Sequence, residues 1–130
     1  MTAEMFTFCD FAQENNGKLT IVGTFDTILA KDFPCVHPQL ALVIRIRFNI
    51  SEFSPHAFKI EARDLDGEVC MEPIAGTIDV RGIGNATSVS HLVFNIASFR
   101  FNNAGVINFI LYIDDREQSS VPLYVRKHHA

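Results

Sequence analysis

Tryptophan is absent from this 130-residue chain and tyrosine occurs only twice. The surface therefore has little of the aromatic stacking area on which sugar-binding proteins rely. Positive charge is also short. Eleven Lys and Arg stand against 15 Asp and Glu, a net −4 that offers no long-range attraction to nucleic acid or an anionic membrane. The three cysteines, Cys9, Cys35 and Cys70, are odd in number and sparse, which argues against a disulfide framework. No apolar run approaches the ~18 residues of a membrane-spanning helix. The opening MTAEMFTFCDFAQ has no basic stretch leading into an apolar core, so no secretory signal is expected. A reducing cytoplasm is the compartment this implies, and there the acceptors Asn49-Ile50-Ser51 and Asn85-Ala86-Thr87 carry no glycan.

Helical periodicity is missing too, and a period of two takes its place. Leu40, Leu42, Ile44, Ile46, Phe48 and Ile50 alternate with Ala41, Val43, Arg45, Arg47 and Asn49, the pattern of a long half-buried strand. Leu19, Ile21, Gly23 and Phe25 form one face of another. Phe58, Ile60 and Ala62 oppose Lys59, Glu61 and Arg63. Similar faces recur at Ile74–Val80, Leu92–Ile96, Ile107–Ile113 and Val121–Val125. Met5–Phe11 is apolar on both faces except at Asp10, which predicts cover on both sides. Twelve phenylalanines supply core volume without a polar atom to satisfy.

Turn residues punctuate these runs: Asn15-Asn16-Gly17, Asp66-Gly67, Gly82-Ile83-Gly84-Asn85, Asn102-Asn103-Ala104-Gly105 and Asp114-Asp115-Arg116. Asn, Asp and Gly tolerate the positive φ of tight hairpins. The spacing predicts an all-β fold, a single antiparallel β-sandwich over residues 1–130 with about seven to nine strands, immunoglobulin-like or jelly-roll-like. Pro122 lacks a backbone donor, which predicts an edge position for the last strand. Asp10 and Gln13 are expected to cap a strand end.

The stretch Cys9-Asp10, Ala12-Gln13, Gly17-Lys18-Leu19, Ile21, Gly23 and Phe25-Asp26 fits a motif "CD-x-AQ…GKL-x-I-x-G-x-FD-x-I". It resembles a bacterial family of small uncharacterised β-sandwich domains, a domain of unknown function. The closing FRFNNAGVINFILYIDDREQSSVPLYV resembles that family's final hairpin. An aliphatic pair, Val106 and Ile107, replaces the aromatic usual after the Gly. The resemblance implies a compact sandwich in a bacterial cytoplasm and brings no activity, cofactor or catalytic residue.

Cys35-Val36-His37 is a ligand-like step, but zinc needs three or four ligands and Cys9, His56, Cys70 and His91 are scattered singly. His128-His129 reads as a frayed tail. No zinc site and no other cofactor is assigned. Calcium has better raw material: Asp64, Asp66, Asp114 and Asp115 all fall at hairpin turns, and a hard cation gathers about six to eight oxygens from such loops. The same residues are also ordinary turn formers. Cys9 beside Asp10 and Ser90 beside His91 are chain neighbours, and strand neighbours point to opposite faces, which works against a nucleophile–base contact. There is no G-x-S-x-G elbow, P-loop or H-E-x-x-H motif.

If residues 39–50 pair with 57–65, one outer face collects Val43, Arg45, Arg47, Lys59 and Arg63, with Glu61 among them. Such a face would receive an acidic peptide or an anion. The sequence reading is thus a non-catalytic binding or assembly module, not an enzyme, with another protein or a second copy as its partner. It excludes nucleic acid and membrane as partners. A calcium- or small-ligand-binding sandwich using its hairpin loops is the alternative. A hydrolase assembled only in three dimensions comes third.

Overall fold

The period-two pattern becomes nine strands in a computed structural model that describes residues 1–128. They are β1 (Thr2–Asn15), β2 (Lys18–Phe25), β3 (Thr27–Ala30), β4 (Cys35–Asn49), β5 (Pro55–Asp64), β6 (Ile74–Asp79), β7 (Thr87–Phe101), β8 (Gly105–Ile113) and β9 (Arg116–Lys127). One short 3-10 turn, Ile50–Glu52, separates β4 from β5. His129, the second member of the expected C-terminal pair, lies outside the described residues, as does the last position of the 1–130 span.

The strands form two sheets, ordered β2-β1-β4-β7 and β3-β9-β8-β5-β6. The apolar alternation dictates their common core. Leu40, Leu42, Ile44, Ile46 and Phe48 from β4 share one cluster with Ile60 and Ala62 from β5, Phe109, Leu111 and Ile113 from β8, and Leu123 and Val125 from β9. Phe8 of the first sheet meets Phe109 of the second edge-on, ring centroids 4.9 Å apart. Burying such a side chain contributes roughly 1.5–3 kcal/mol, so this apolar contact between the sheets holds them together.

Some of the expected turns close hairpins, whereas those at 82–85 and 102–105 cross between the sheets. Asn16 and Gly17 both have positive φ at the β1–β2 connection, and Asp114 and Asp115 do so between β8 and β9.

Three expectations are corrected by the strand order. First, β3 runs parallel to β9, with Thr27 opposite Tyr124 and Ala30 opposite Lys127. The chain leaves the first sheet after Phe25 and joins the second, so the pairing is not wholly antiparallel. Second, β9 is flanked on both sides and is not an edge strand. Pro122 is nevertheless accommodated by edge logic. Tyr124 donates its N–H to Asp26 O, toward β3, so the nitrogen of Pro122, two residues earlier, faces the same side, before β3 pairing begins. Third, β4 and β5 do not pair: β4 lies between β1 and β7, and β5 between β8 and β6.

The expected double cover of Met5–Phe11 is realised in part, and it has a structural source. A second cluster of Cys9, Ala12, Ala41 and Val43 forms on the face of β4 opposite the main core, with Met5, Leu19, Ile21 and Val93 packed against it. The tip of the β1–β2 hairpin supplies Ala12, Leu19 and Ile21. Leu19 and Ile21 thus leave the face they were expected to share with Phe25, which stays against the main core. Gly23 marks the break: its φ is +69°, and a Cβ there would lie 2.5 Å from Asp10 Oδ2. Asp10 rests against this glycine, in place of the expected cap.

Candidate functional site

The expected basic face is dismantled by this topology. Val43 is fully buried, with 0% exposure, beneath the β1–β2 hairpin. Arg45 and Arg47 belong to the first sheet, while Lys59 and Arg63 belong to the second. Nor are their charges free. Register slips by one residue between Ala3 and Met5 on β1, and the extra residue is Glu4. A bulge re-aims its side chain, and Glu4 lies between the two arginines, 2.9 Å from Arg45 Nε and 2.8 Å from Arg47 Nε. Hydrogen bonds from Arg47 and Arg45 hold the Glu4 carboxyl at about 2. In the second sheet Glu61 is 2.6 Å from Arg63 Nη2 and 3.6 Å from Lys59 Nζ. Burial alone would raise the Glu61 carboxyl, but the Arg63 bond and the charges of Arg63 and Lys59 outweigh it and hold it low.

The first-sheet pair extends into a chain of polar contacts. Arg45 Nη1 donates to His91 Nε2 at 3.0 Å, and His91 Nδ1 faces Glu14 Oε1 at 3.3 Å. At the other end Arg47 Nη1 donates to Thr87 Oγ1 at 2.9 Å. Glu14 sits at the hairpin tip, so this chain ties the tip to β7. It fastens the second cluster, and Glu4 already engages both arginines.

The calcium candidates are kept apart by β5. Asp114 accepts from Ala57 N, near the start of that strand, whereas Asp64 ends it. The seven residue steps from Ala57 to Asp64 span about 23 Å, too far for one ion. Asp64 Oδ1 instead accepts from the backbone of Asp66 and Glu68, which shapes its turn. Asp115 and Asp66 stay exposed. Among the described residues no three His, Cys, Asp or Glu side chains come together as a metal site, and Cys35 and His37 find no third ligand.

One constellation was invisible in the sequence. Ser54, His56 and Asp114 meet in the order of a nucleophile, base and orienting acid. Ser54 Oγ is 3.4 Å from His56 Nε2, and His56 Nδ1 is 2.6 Å from Asp114 Oδ2. The proton inventory decides its meaning. His56 Nε2 lies 2.7 Å from the carbonyl oxygen of Glu52, a much shorter contact than that to Ser54. Nδ1 faces a carboxylate and the shorter contact of Nε2 is to a carbonyl, both acceptors, so the geometry favours hydrogen on both nitrogens. The Asp114 bond, then the Glu52 carbonyl, pushes the His56 pKa up, and the His56 bond pulls Asp114 down. A general base must be neutral to take a proton. His56 also stacks on Phe48 and joins the β4–β5 connection to the β8–β9 turn, the contacts of a clamp. Its only sequence signal was Ser54-Pro55-His56, and nothing there points to Asp114.

A different feature is left uncommitted. β7 ends the first sheet, and only β4 hydrogen-bonds to it. Its other side is an edge. Opposite Pro38 of β4 the strand bends at Ser98, whose φ is +54°. From Thr87 to Ala97 the edge contains no Lys, Arg, Asp, Glu, Pro or Gly. Those are the residues with which proteins ordinarily blunt an edge or break a strand. The other edges are shorter. β3 has four residues, β6 has six, and β2 has eight and carries the kink at Gly23. That charge-free run was readable in the sequence, but its position at an edge was not.

Compared with known proteins, the chain matches the model of a family described as "Family of unknown function (DUF6941)" over residues 4–126, and it belongs to that family. No curated protein and no solved structure gives a significant match. Family membership assigns the chain no activity.

Proposed function

We propose that this member of a family without an assigned activity is a non-catalytic binding and assembly module, and that it engages its partner by strand addition along the free edge of β7. The observation that carries this reading is the undefended Thr87–Ala97 edge, a row of backbone donors and acceptors that an extended segment would satisfy. The acceptors at both ring nitrogens of His56, which favour the protonated ring, support the non-catalytic part. The pairing of Arg45 and Arg47 with Glu4 shifts the expected contact surface away from the basic face, so Arg45 and Arg47 now serve the fold.

The finer architecture belongs to the same reading. The order β1-β4-β7 against β9-β8-β5-β6 corresponds to strands A-B-E against G-F-C-C′ of an immunoglobulin-like sandwich, with β2 as an added strand. A bacterial cytoplasm suits three cysteines that are all free.

Selection from a displayed library of random linear peptides tests the proposal. Selected peptides should protect β7 amides from hydrogen exchange and lose their affinity when Asn95 and Ala97 become Lys. Binders that leave β7 unprotected, or a selection that yields none, would remove strand addition from consideration.

A further inference from the structure

We infer that the strand added to β7 is β7 of a second copy, in a two-fold antiparallel pairing centred on Phe94 that joins two four-stranded sheets into one of eight. The inference rests on the strand-addition reading above and names the partner for that edge.

Length is the first argument. The straight edge from Thr87 to Ala97 spans about 33 Å, and a two-fold at Phe94 pairs its His91–Ala97 part, about 20 Å, with on the order of seven backbone hydrogen bonds. Among the described residues the other edges suit it less: β2 is kinked, β3 and β6 are short, and the part of β9 that β3 leaves unpaired, Arg116–Leu123, carries charges and Pro122. Pairing β7 with one of those edges on a second copy would also be head-to-tail. Such contacts generate rings or open filaments, whereas β7 against itself closes as a dimer.

Side-chain alternation supplies the register. Leu92, Phe94 and Ile96 pack on the main core yet remain only partly buried. Phe94 meets Phe58 of the other sheet at 5.8 Å between centroids. A two-fold axis through Phe94 sets Leu92 opposite Ile96 of the partner and Phe94 opposite its own mate. The core-facing stripe then continues without interruption into the second copy. On the opposite face Val93 meets Asn95, and His91 meets Ala97.

Charge does not oppose this arrangement. Like charges directly across a ladder are destabilising, and the stretch Thr87–Phe99 contains no Lys, Arg, Asp or Glu. His91, already engaged by Arg45 and Glu14, stays away from its symmetry mate in this register.

Sedimentation velocity of the purified full chain over a wide concentration range tests the inference, with hydrogen exchange followed by mass spectrometry. The expected result is a dimer whose β7 amides are protected between His91 and Ala97. The variant Asn95→Lys/Ala97→Lys changes two exposed positions and brings four added cations around the axis. It should dissociate at least tenfold more readily while keeping the wild-type circular dichroism. Ala97→Lys alone serves if the double variant misfolds. A wild type that is monomeric at every concentration overturns the inference. So does a dimer with freely exchanging β7 amides, or one that survives the lysines. A monomer that still captures selected peptides on β7 overturns self-pairing only. A monomer that captures none overturns strand addition as well.

Discussion

If His56 is an imidazolium clamped between Asp114 and the Glu52 carbonyl, its titration should show in both stability and spectroscopy. The histidine pKa in the folded chain lies above the 6.5 of an unperturbed imidazole, so folding favours the protonated ring. The clamp's contribution is therefore fully present below pH 6.5 and is lost as pH rises through the folded-state pKa. Asp114 bounds the other side. Its carboxyl is held below the usual 3.8, so its contribution is present above 3.8 and fades as pH falls through that depressed value. Two short charge-assisted hydrogen bonds to a ring only 11% exposed would suggest a few kcal/mol. Asp114 is 49% exposed, however, and solvent screening reduces the sum to about 1–2 kcal/mol. His56→Gln keeps much of the side-chain volume and removes the titration. Urea unfolding at mildly acidic and mildly alkaline pH should show the wild type losing stability relative to His56→Gln as pH rises, with the difference near 1–2 kcal/mol. A nuclear magnetic resonance titration should place His56 above 6.5. A His56 that titrates at or below 6.5 would refute the clamp. It would also reopen the Ser54–His56–Asp114 arrangement as a nucleophile and base.

Other consequences are separable from this one. Gly23→Ala should cost about 1–2 kcal/mol, because its φ of +69° is a left-handed conformation that penalises a Cβ. Asp10 Oδ2 is the end of an exposed side chain and can rotate away, so Asp10→Ala should rescue little of that loss; full rescue in urea titrations would assign the cost to the clash instead. Phe109→Ala removes the ring that meets Phe8 between the sheets and should cost about 3–5 kcal/mol in the same assay. Val43→Lys should unfold or severely destabilise the chain because that side chain is fully enclosed, and a lysine tolerated there would contradict the hairpin cover. Calcium should leave the melting temperature unchanged, since Asp64 and Asp114 sit at opposite ends of β5; a rise reversed by chelator would show that the turns rearrange around the ion.

Much of this protein was legible one residue at a time. The faces Leu40–Phe48, Phe58–Ala62 and Ile107–Ile113 alternate with period two because a strand turns successive side chains to opposite sides. The turns at Asn16-Gly17 and Asp114-Asp115 are local backbone chemistry, set by which residues tolerate positive φ. Such features need no knowledge of neighbours, and they were enough for an all-β chain with its core residues.

What depends on neighbours was decided elsewhere. Alternation cannot say which strand lies beside which, so nothing local reveals that β4 and β5 part into different sheets or that β3 lies parallel to β9. The fate of Val43 turned on a hairpin that folds over it from thirty residues upstream. The charges of Arg45 and Arg47 turned on a one-residue bulge that places Glu4 between them. Ser54 and His56 acquired Asp114 only when β5 and β8 paired, and the turn after β4 set the Glu52 carbonyl against the ring's other nitrogen. Composition, periodicity and turn sites are local properties and could be read from the sequence. Strand order, charge compensation and the free edge of β7 are relations between distant segments, and only tertiary packing brings those segments together.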